Sequence, residues 1–553
     1  MNMLIAIEPQ VDADIKKLDL WNADALGILT YILRAASLDF TGGLVGFAKR
    51  NPDRGAMALS RLSQLMGQMI KPSLRTGVRI LDVDCGLAKK HAAQIPQALV
   101  YGHFCEIMPE VRRFGHVVSA FGNKIDISHK DAAFTKFEER DIVASELSTG
   151  FTEGDPKIDA SLASRIMRAW PNAKETDILT LLDSAFRTYL EITREEEYLP
   201  NDQYEVAFGF SREEFAAVKA ALSAVGFLCR NLSVAASAEA FKTPKQKNKW
   251  YRKAAWWSAP VLFKTWIRAH IEKMTGFEVP VIDRVLEFFV EPMSHSMAVV
   301  RSGEGYLTPL FEFQDHYLLS PPAVLLMMCE RNLLYMKNKF DRDGFNDIVS
   351  QHLEPRLISD AEEVLRRVGG LQMRRNMILA NGEIDLLVYC ARTNTALQIQ
   401  AKACIPAQGA RMTRQIEDST LKAVHQLEGV EALTSSERDT IIRNAFGVNV
   451  NGVSWSSGVL SRSSFGTSKA WQAIGSRAAL NPSILRMLAS DDSWKGDLTL
   501  IPGLTHTLFD GLTKRTSKGW SKRSLRLSSY TVSLPMLDLD YQKCFDARFE
   551  IWK

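Results

Sequence analysis

The stretch that decides the fold is Asn381-Gly382-Glu383-Ile384-Asp385-Leu386-Leu387-Val388-Tyr389-Cys390, an apolar run directly after an Asn-Gly pair. Asn-Gly is typical of the two-residue turn of a β-hairpin. Because a second strand-like run precedes the pair, residues 371–379 and 383–390 are predicted to form the two strands of a hairpin.

The segments on either side of this hairpin extend the prediction to a module. A third strand is predicted at residues 395–403, after a polar connection. Helical periodicity occurs before the hairpin at residues 345–368, with a break or bend near Pro355, and after the third strand at residues 414–427. Helix, hairpin, strand and helix together indicate a compact α/β module with a central sheet.

The polar residues of the second and third strands indicate chemistry. Strand alternation puts Gln398, Gln400 and Lys402 on one face of the sheet and the apolar residues between them on the other. Asp385 is a lone carboxylate in an apolar strand, which is costly unless a cation or hydrogen bonds compensate it. An acid, an amide oxygen and an ammonium on neighbouring strands can hold a divalent cation and orient an attacking water.

These residues resemble the PD-(D/E)XK nuclease superfamily, which has the restriction-endonuclease-like fold. The matching motif is Gly382-Glu383-Ile384-Asp385 and, after a spacer of 14 residues, Gln400-Ala401-Lys402. The resemblance implies that Asp385 binds a metal, that Gln400 occupies the family's second acidic position and that Lys402 is the catalytic lysine. It also implies Mg²⁺ or Mn²⁺ as cofactor. The family's usual Glu is Gln in this chain.

Members of the family often take one more acid from the helix before the hairpin. On a helical wheel, Glu354 falls near the centre of the apolar stripe of residues 345–368. Glu362 lies at the edge of the stripe, and Glu363 points away from it. Glu354 is therefore the predicted third metal ligand.

Two other interpretations of the motif remain open. In the first, Asp385 pairs with a surface arginine and Lys402 is a solvated residue at the end of a strand. In the second, the module is a metal-free version of the fold that binds nucleic acid or acts as a scaffold.

The length and composition of the chain indicate how it is divided into domains. The chain has 553 residues with 68 Lys+Arg and 64 Asp+Glu, enough for several domains. We predict helical domains at residues 1–150 and 151–335 and a nuclease-like α/β domain with a central mixed sheet at residues 336–553. The fold class is therefore α+β overall, with a mainly helical N-terminal region. No apolar run predicts a membrane span, and the 7 scattered cysteines indicate a reduced, cytoplasmic protein.

A basic and aromatic segment lies in the second region. Residues 241–273 contain nine Lys/Arg and one acid. Cations that neutralise phosphates and an aromatic ring that stacks on bases would make this segment a nucleic-acid interface. The candidate residues are Lys245, Lys247, Lys249, Trp250 and Arg252. The alternative is a solvated helix face above a core of aromatic residues. We expect a mixture, with residues 242–253 exposed and the later aromatics, Phe263 among them, buried.

Together these observations predict a metal-dependent endonuclease, with DNA as the expected substrate and a helical regulatory or sensor region. A partner protein could bind the helical region, and antiphage defence is a setting that the family resemblance implies. The alternative is a catalytically inactive nucleic-acid-binding or scaffold protein.

Overall fold

The computed structural model describes residues 2–44, 52–66, 70, 87–113, 116–148, 156–157, 159–195, 199–293, 300–303, 305–327, 329–380, 382–406, 409–527 and 529–552. Asn381, the first residue of the predicted turn, lies outside them. The described residues form a mixed α and β structure with three sheets. This agrees with the predicted α+β class at that level.

The first part of the chain is mainly helical and ends in a hairpin and a helix. Its elements are α1 (Asn2–Lys16), α2 (Ala25–Leu44), α3 (Pro52–Leu65), α4 (Lys89–Ala92), α5 (Ile95–Arg113), β1 (Val117–Phe121), β2 (Lys124–Ser128) and α6 (Ala132–Leu147). Asp131 caps α6, because its side chain accepts a hydrogen bond from the backbone N–H of Phe134.

The second part is built around one long helix. Its elements are α7 (Ala160–Ala169), α8 (Glu175–Glu195), α9 (Tyr204–Phe208), α10 (Arg212–Lys242), α11 (Lys247–Ser258), β3 (Val261–Phe263), α12 (Lys264–Thr275), α13 (Val279–Glu287), β4 (Val290–Pro292), β5 (Leu310–Phe313), β6 (His316–Leu319), α14 (Pro321–Met327) and α15 (Glu330–Phe340). Strands β3, β6, β5 and β4 form a sheet in that order.

Helix α10 is the centre of this part. Ser211 and Glu214 form a capping box at its start, since each side chain satisfies a backbone N–H of the first turn. It is the one described helix that is long and apolar enough to cross a membrane, and its apolar window is entirely buried inside the fold. That burial is what the core helix of a soluble protein shows.

The third part contains the predicted module. Its elements are α16 (Arg342–Ile348), α17 (Glu354–Arg366), β7 (Leu371–Leu379), β8 (Gly382–Cys390), β9 (Thr395–Lys402), α18 (Ala410–Glu431), α19 (Ser435–Phe446), β10 (Ser454–Ser461), α20 (Ser468–Ile474), β11 (Ala478–Leu480), α21 (Pro482–Ala489), α22 (Ile501–Thr516), β12 (Ser517–Leu527), β13 (Tyr530–Leu539) and α23 (Tyr541–Trp552).

The predicted strands of the module are present. Leu379 pairs with Gly382, so Gly382 already belongs to β8 rather than to the turn that the Asn-Gly pair predicted. The predicted break near Pro355 is a turn of π-helix, Val349–Leu353, between α16 and α17. Proline lacks the N–H that an α-helix would use at this point, which explains the irregular turn.

The sheet of the module is mixed, with strand order β11-β10-β9-β8-β7. Strands β7, β8 and β9 are antiparallel neighbours, whereas β10 and β11 run parallel to β9. Leu397, Ile399 and Ala401 pack in the main core, as their alternation predicted, and Ala396 packs on the other side of the sheet in a smaller core. Strand β9 is therefore buried on both faces.

A third sheet joins distant parts of the chain. Its strand order is β1-β2-β13-β12, and β13 pairs in parallel with β2. Residues of the predicted first and third regions thus share one sheet. The boundaries at residues 150 and 335 remain predictions.

Candidate active site

The candidate site lies where β8 and β9 stop pairing through their backbones. The last pair of the ladder is Leu386 with Ile399. Beyond it, Asp385 Oδ2 accepts a hydrogen bond of 2.6 Å from the backbone N–H of Ala401. A side chain therefore replaces the backbone acceptor at this point and fixes the carboxylate of Asp385 against β9.

Gln400 makes the reciprocal contact. Its Nε2 donates a hydrogen bond to the backbone carbonyl of Glu383 on β8. The side chain is fully buried, and its Oε1 has no hydrogen-bond partner among the described residues. An unpaired buried carbonyl oxygen is costly, so this oxygen is available to a cation or a donor that enters the site.

Lys402 lies between two carboxylates. Its Nζ is 4.0 Å from Asp385 Oδ2 and 3.9 Å from Glu354 Oε1. Glu354 reaches the strands because it begins α17, directly after the π-helical turn. The structure thus brings Glu354, Asp385 and Lys402 together, and Gln400 directly precedes Ala401, whose N–H binds Asp385.

Burial raises the pKa of both carboxyl groups. The pKa of Asp385 is raised by loss of solvent, while Lys402 and the Ala401 N–H partly offset the increase. The pKa of Glu354 is raised chiefly by burial as well; Lys402 lowers it and the nearby charge of Asp385 raises it again. The nearby ammonium groups therefore do not fully offset the effect of burial on the two carboxyl groups, and a further cation would stabilise their ionised forms.

The donor set fits a hard divalent cation. Two carboxylates and the unpaired amide oxygen of Gln400 are the kinds of ligand that Mg²⁺ and Mn²⁺ prefer. Lys402 offers three N–H donors and no acceptor, so it suits a water molecule or a phosphate oxygen rather than the metal.

The other two acids of α17 are not part of the site. Glu362 is buried and pairs with Arg366 and with Arg375 on β7. Glu363 is exposed, with Arg367 as its neighbour. The apolar stripe of the helix explains the difference, because it directs only Glu354 to the end of the sheet.

Sequence reasoning missed two neighbours of the site. Lys422 on α18 lowers the pKa of Glu354, and the thiol of Cys404, whose pKa is raised by burial, follows β9 directly. The position of Cys404 two residues after Lys402 is a signal that could have identified it. Helix α18 has several basic residues, and nothing in the sequence indicates that Lys422 is the one near Glu354.

The candidate nucleic-acid interface is partly different from the prediction. Lys245, Lys247, Lys249 and Arg252 are exposed, and none pairs with a carboxylate of a described residue. Trp250, in contrast, is only 9% exposed, so its ring cannot stack on a base. The prediction for Trp250 was wrong because the turn of α11 places it on the face that packs in the main core.

The aromatic residues that do reach the surface are others. Tyr251 is 38% exposed and lies edge-to-face with Phe241, which is 61% exposed. Phe263 is 58% exposed, contrary to its expected burial; it is the last residue of β3, and its ring contacts the ring of His316. A basic surface with a tyrosine and a phenylalanine therefore remains on α10 and α11.

Known proteins give no further assignment of this site. Comparison of the chain with models of known protein families, with curated proteins and with solved structures found no match.

Proposed function

We propose that the protein is a metal-dependent nuclease that hydrolyses phosphodiester bonds, with DNA as its expected substrate. The observation that carries the proposal is the position of the Lys402 ammonium, 3.9–4.0 Å from the carboxylates of both Glu354 and Asp385, where β8 and β9 part. The buried Gln400 oxygen on the same strand, which has no described hydrogen-bond partner, supports it. The mixed sheet and its flanking helices support a restriction-endonuclease-like domain in this part of the chain.

Each residue has a role that follows from its surroundings. Glu354, Asp385 and Gln400 would hold Mg²⁺ or Mn²⁺. The bound cation supplies charge that offsets the negative charge developing on the scissile phosphate. Lys402 is held between the two carboxylates, which fixes its ammonium for contact with the attacking water. The Ala401 N–H keeps the carboxylate of Asp385 in place.

The basic surface of α11 supports nucleic acid as the partner. A second basic stretch, on and before β12, differs because Arg515, Lys518, Lys522 and Arg523 each have a carboxylate within 4 Å. Cations that already pair with acids release fewer counterions when a phosphate binds. The four cations of α11 and the segment before it, which pair with no carboxylate of the described residues, are therefore the favoured phosphate contacts.

The helical remainder of the chain would regulate the nuclease or bind a partner protein. A cytoplasmic location and a role in antiphage defence belong to the same proposal, which phage plating on cells that carry the wild-type protein or the Lys402→Ala variant would test. Protection by the wild type alone is the expected result.

Cleavage of supercoiled plasmid by the purified full-length protein tests the chemistry. We expect nicked or linear DNA with Mg²⁺ or Mn²⁺ and none with EDTA. Asp385→Asn and Lys402→Ala should lower the rate by roughly 100-fold or more. Lys518→Ala is the matched control, since this lysine is 59% exposed on β12 and should leave cleavage unchanged.

Metal binding, measured by titration calorimetry with Mn²⁺, separates the roles of the two residues. Asp385→Asn should weaken binding, whereas Lys402→Ala should retain it. Equal cleavage by the wild type and both variants would reject the assignment of these residues.

The second candidate is a catalytically inactive protein that binds nucleic acid or acts as a scaffold. It is favoured by the neutral Gln400 at a position where a carboxylate would bind a metal more tightly. Binding of DNA or RNA without cleavage, in both Mg²⁺ and Mn²⁺, would support this candidate over the nuclease.

A further inference from the structure

A second cluster of metal-ligating side chains lies at the open end of the β1–β2 hairpin. Val117 pairs with Ser128, so His116 and His129 occupy the next two facing positions. Helix α6 follows the hairpin and brings Glu138 to them. Glu138 Oε2 is 2.8 Å from His129 Nε2, and its Oε1 is 3.5 Å from His116 Nε2.

The spacing of these atoms suits one metal ion. The three ligand atoms all lie within 4.8 Å of one another. Zinc binds imidazole nitrogen and carboxylate oxygen at about 2.0–2.2 Å, which puts neighbouring ligands of a tetrahedral ion roughly 3.3 Å apart. Small side-chain movements are therefore enough to complete such a site.

Hydrogen bonding does not account for the cluster. Despite its 2.8 Å approach to the carboxylate, the buried His129 Nε2 makes no hydrogen bond with a described residue. His116 Nδ1 is also buried without a described partner. Buried polar atoms are nearly always paired, and a single carboxylate faces both rings here. A cation between the three side chains would use the lone pair of His129 Nε2, which no hydrogen bond to a described residue uses.

We propose that His116, His129 and Glu138 bind a transition-metal dication, with zinc as the favoured ion. Two imidazoles and one carboxylate are a zinc ligand set, whereas Mg²⁺ takes oxygen ligands. The site is separate from the one at Asp385. Three protein ligands leave one coordination position for a water molecule or a small ligand.

The residues around the three ligands indicate that a bound metal would stabilise the packing of α6. The side chains of all three ligands are 9–18% exposed, and the rings of Phe134 and Trp520 flank the imidazoles at 4.2–5.8 Å. Trp520 belongs to β12 and donates a hydrogen bond from Nε1 to Glu139. A metal held here would fix α6 against the β1-β2-β13-β12 sheet, which contains strands from the first and third parts of the chain.

Zinc content and affinity of the full-length protein test the proposal. Protein stripped with a chelator and dialysed against Zn²⁺ should retain one equivalent by elemental analysis. His129→Gln and Glu138→Gln should weaken Zn²⁺ binding by roughly 100-fold in calorimetry. His425→Gln is the matched control, because His425 faces Glu428 at 3.5 Å on an exposed face of α18. It should bind as the wild type does, and so should Asp385→Asn.

A second readout needs no variant. Cobalt in place of zinc should give visible absorption bands of a four- or five-coordinate ion, which excess Zn²⁺ removes. Circular dichroism in EDTA checks that the variants fold. Wild-type protein that retains no zinc would overturn the proposal, and so would zinc bound equally by the folded His129→Gln and Glu138→Gln variants.

Discussion

Gln400 and Glu383 lie on facing strands, and the amide nitrogen of Gln400 donates a hydrogen bond to the backbone carbonyl of Glu383. This contact uses the one part of the side chain that a glutamate does not have. Its nitrogen therefore closes the gap between β8 and β9, while its buried oxygen has no hydrogen-bond partner among the described residues.

Gln400→Glu should consequently separate folding from metal binding. The new carboxylate cannot donate to the Glu383 carbonyl, so we expect the free energy of unfolding in EDTA to fall by about 1–3 kcal/mol. The added negative ligand should lower the Mg²⁺ concentration for half-maximal cleavage. Urea denaturation in EDTA measures the first effect, and plasmid cleavage over a series of Mg²⁺ concentrations measures the second. Unchanged stability in EDTA would show that the hydrogen bond contributes nothing.

Glu354→Gln and Glu362→Gln form a matched pair on one helix. Glu354→Gln should abolish metal-dependent cleavage and weaken Mn²⁺ binding, because it removes a ligand. Glu362→Gln should cleave DNA at the wild-type rate but lose about 1 kcal/mol of stability, since its partners Arg366 and Arg375 are partly exposed. The reverse outcome would assign the metal to Glu362.

The raised pKa of Asp385 predicts a pH dependence of stability without metal. An acid with a raised pKa holds its proton more tightly in the folded state, so the free energy of unfolding falls as pH rises from the unfolded to the folded pKa. The quantity to follow is the difference in the free energy of unfolding between the wild type and Asp385→Asn, measured in EDTA. This difference should fall as pH rises above about 4, the ordinary pKa of aspartate, and then level off. Saturating Mg²⁺ should remove this decrease. A difference that is flat with pH in EDTA would contradict the prediction.

The exposed cations of the basic surface should determine the salt dependence of nucleic-acid binding. Replacement of Lys245, Lys247, Lys249 and Arg252 by Gln should flatten the slope of log affinity against log salt by up to about 0.9 for each duplex phosphate that is no longer neutralised. Mn²⁺ affinity should not change. A wild-type slope in the fourfold variant would mean that these residues only solvate the helix.

Tyr251 and Trp250 are adjacent but should behave in opposite ways. Tyr251→Ala should weaken binding of single-stranded nucleic acid by roughly 1–3 kcal/mol if its ring stacks on a base, with little loss of stability. Trp250→Ala should instead destabilise the fold by about 3–5 kcal/mol, because its ring is buried in the core. Thermal melts and filter binding distinguish the two.

Local sequence patterns predicted most of the strands of the module. Apolar residues and turn residues predicted β7, β8 and β9 within one residue at each end, since β8 and β9 are mainly apolar and polar connections separate the three strands. The apolar stripe of α17 predicted that Glu354, rather than Glu362 or Glu363, lies at the site, and Glu354 is the acid of this helix near Lys402 on β9. The hydrogen bonds of Asp385 and Gln400 to the opposite strand could not be predicted, because they depend on where the ladder ends.

Long-range pairing had no local signal. Nothing in the sequence near Lys124 indicates that β2 pairs with Thr531 on β13. Trp250 was misassigned for a related reason, because composition shows that a segment is basic and aromatic but not which residues of a helix face the core. The cluster of His116, His129 and Glu138 was missed because the two histidines meet only through the register of the hairpin.

The parallel pairing of β2 with β13 has a practical consequence for anyone who divides this chain into fragments. A piece that starts near residue 336 takes β13 away from β2, and a piece that stops before β12 leaves β2 as an open edge. Unpaired strand edges recruit other chains, so either fragment should aggregate even when its own helices fold. Co-expression of the two pieces would let the sheet reassemble, and the soluble yield of the pair would then exceed that of each piece alone.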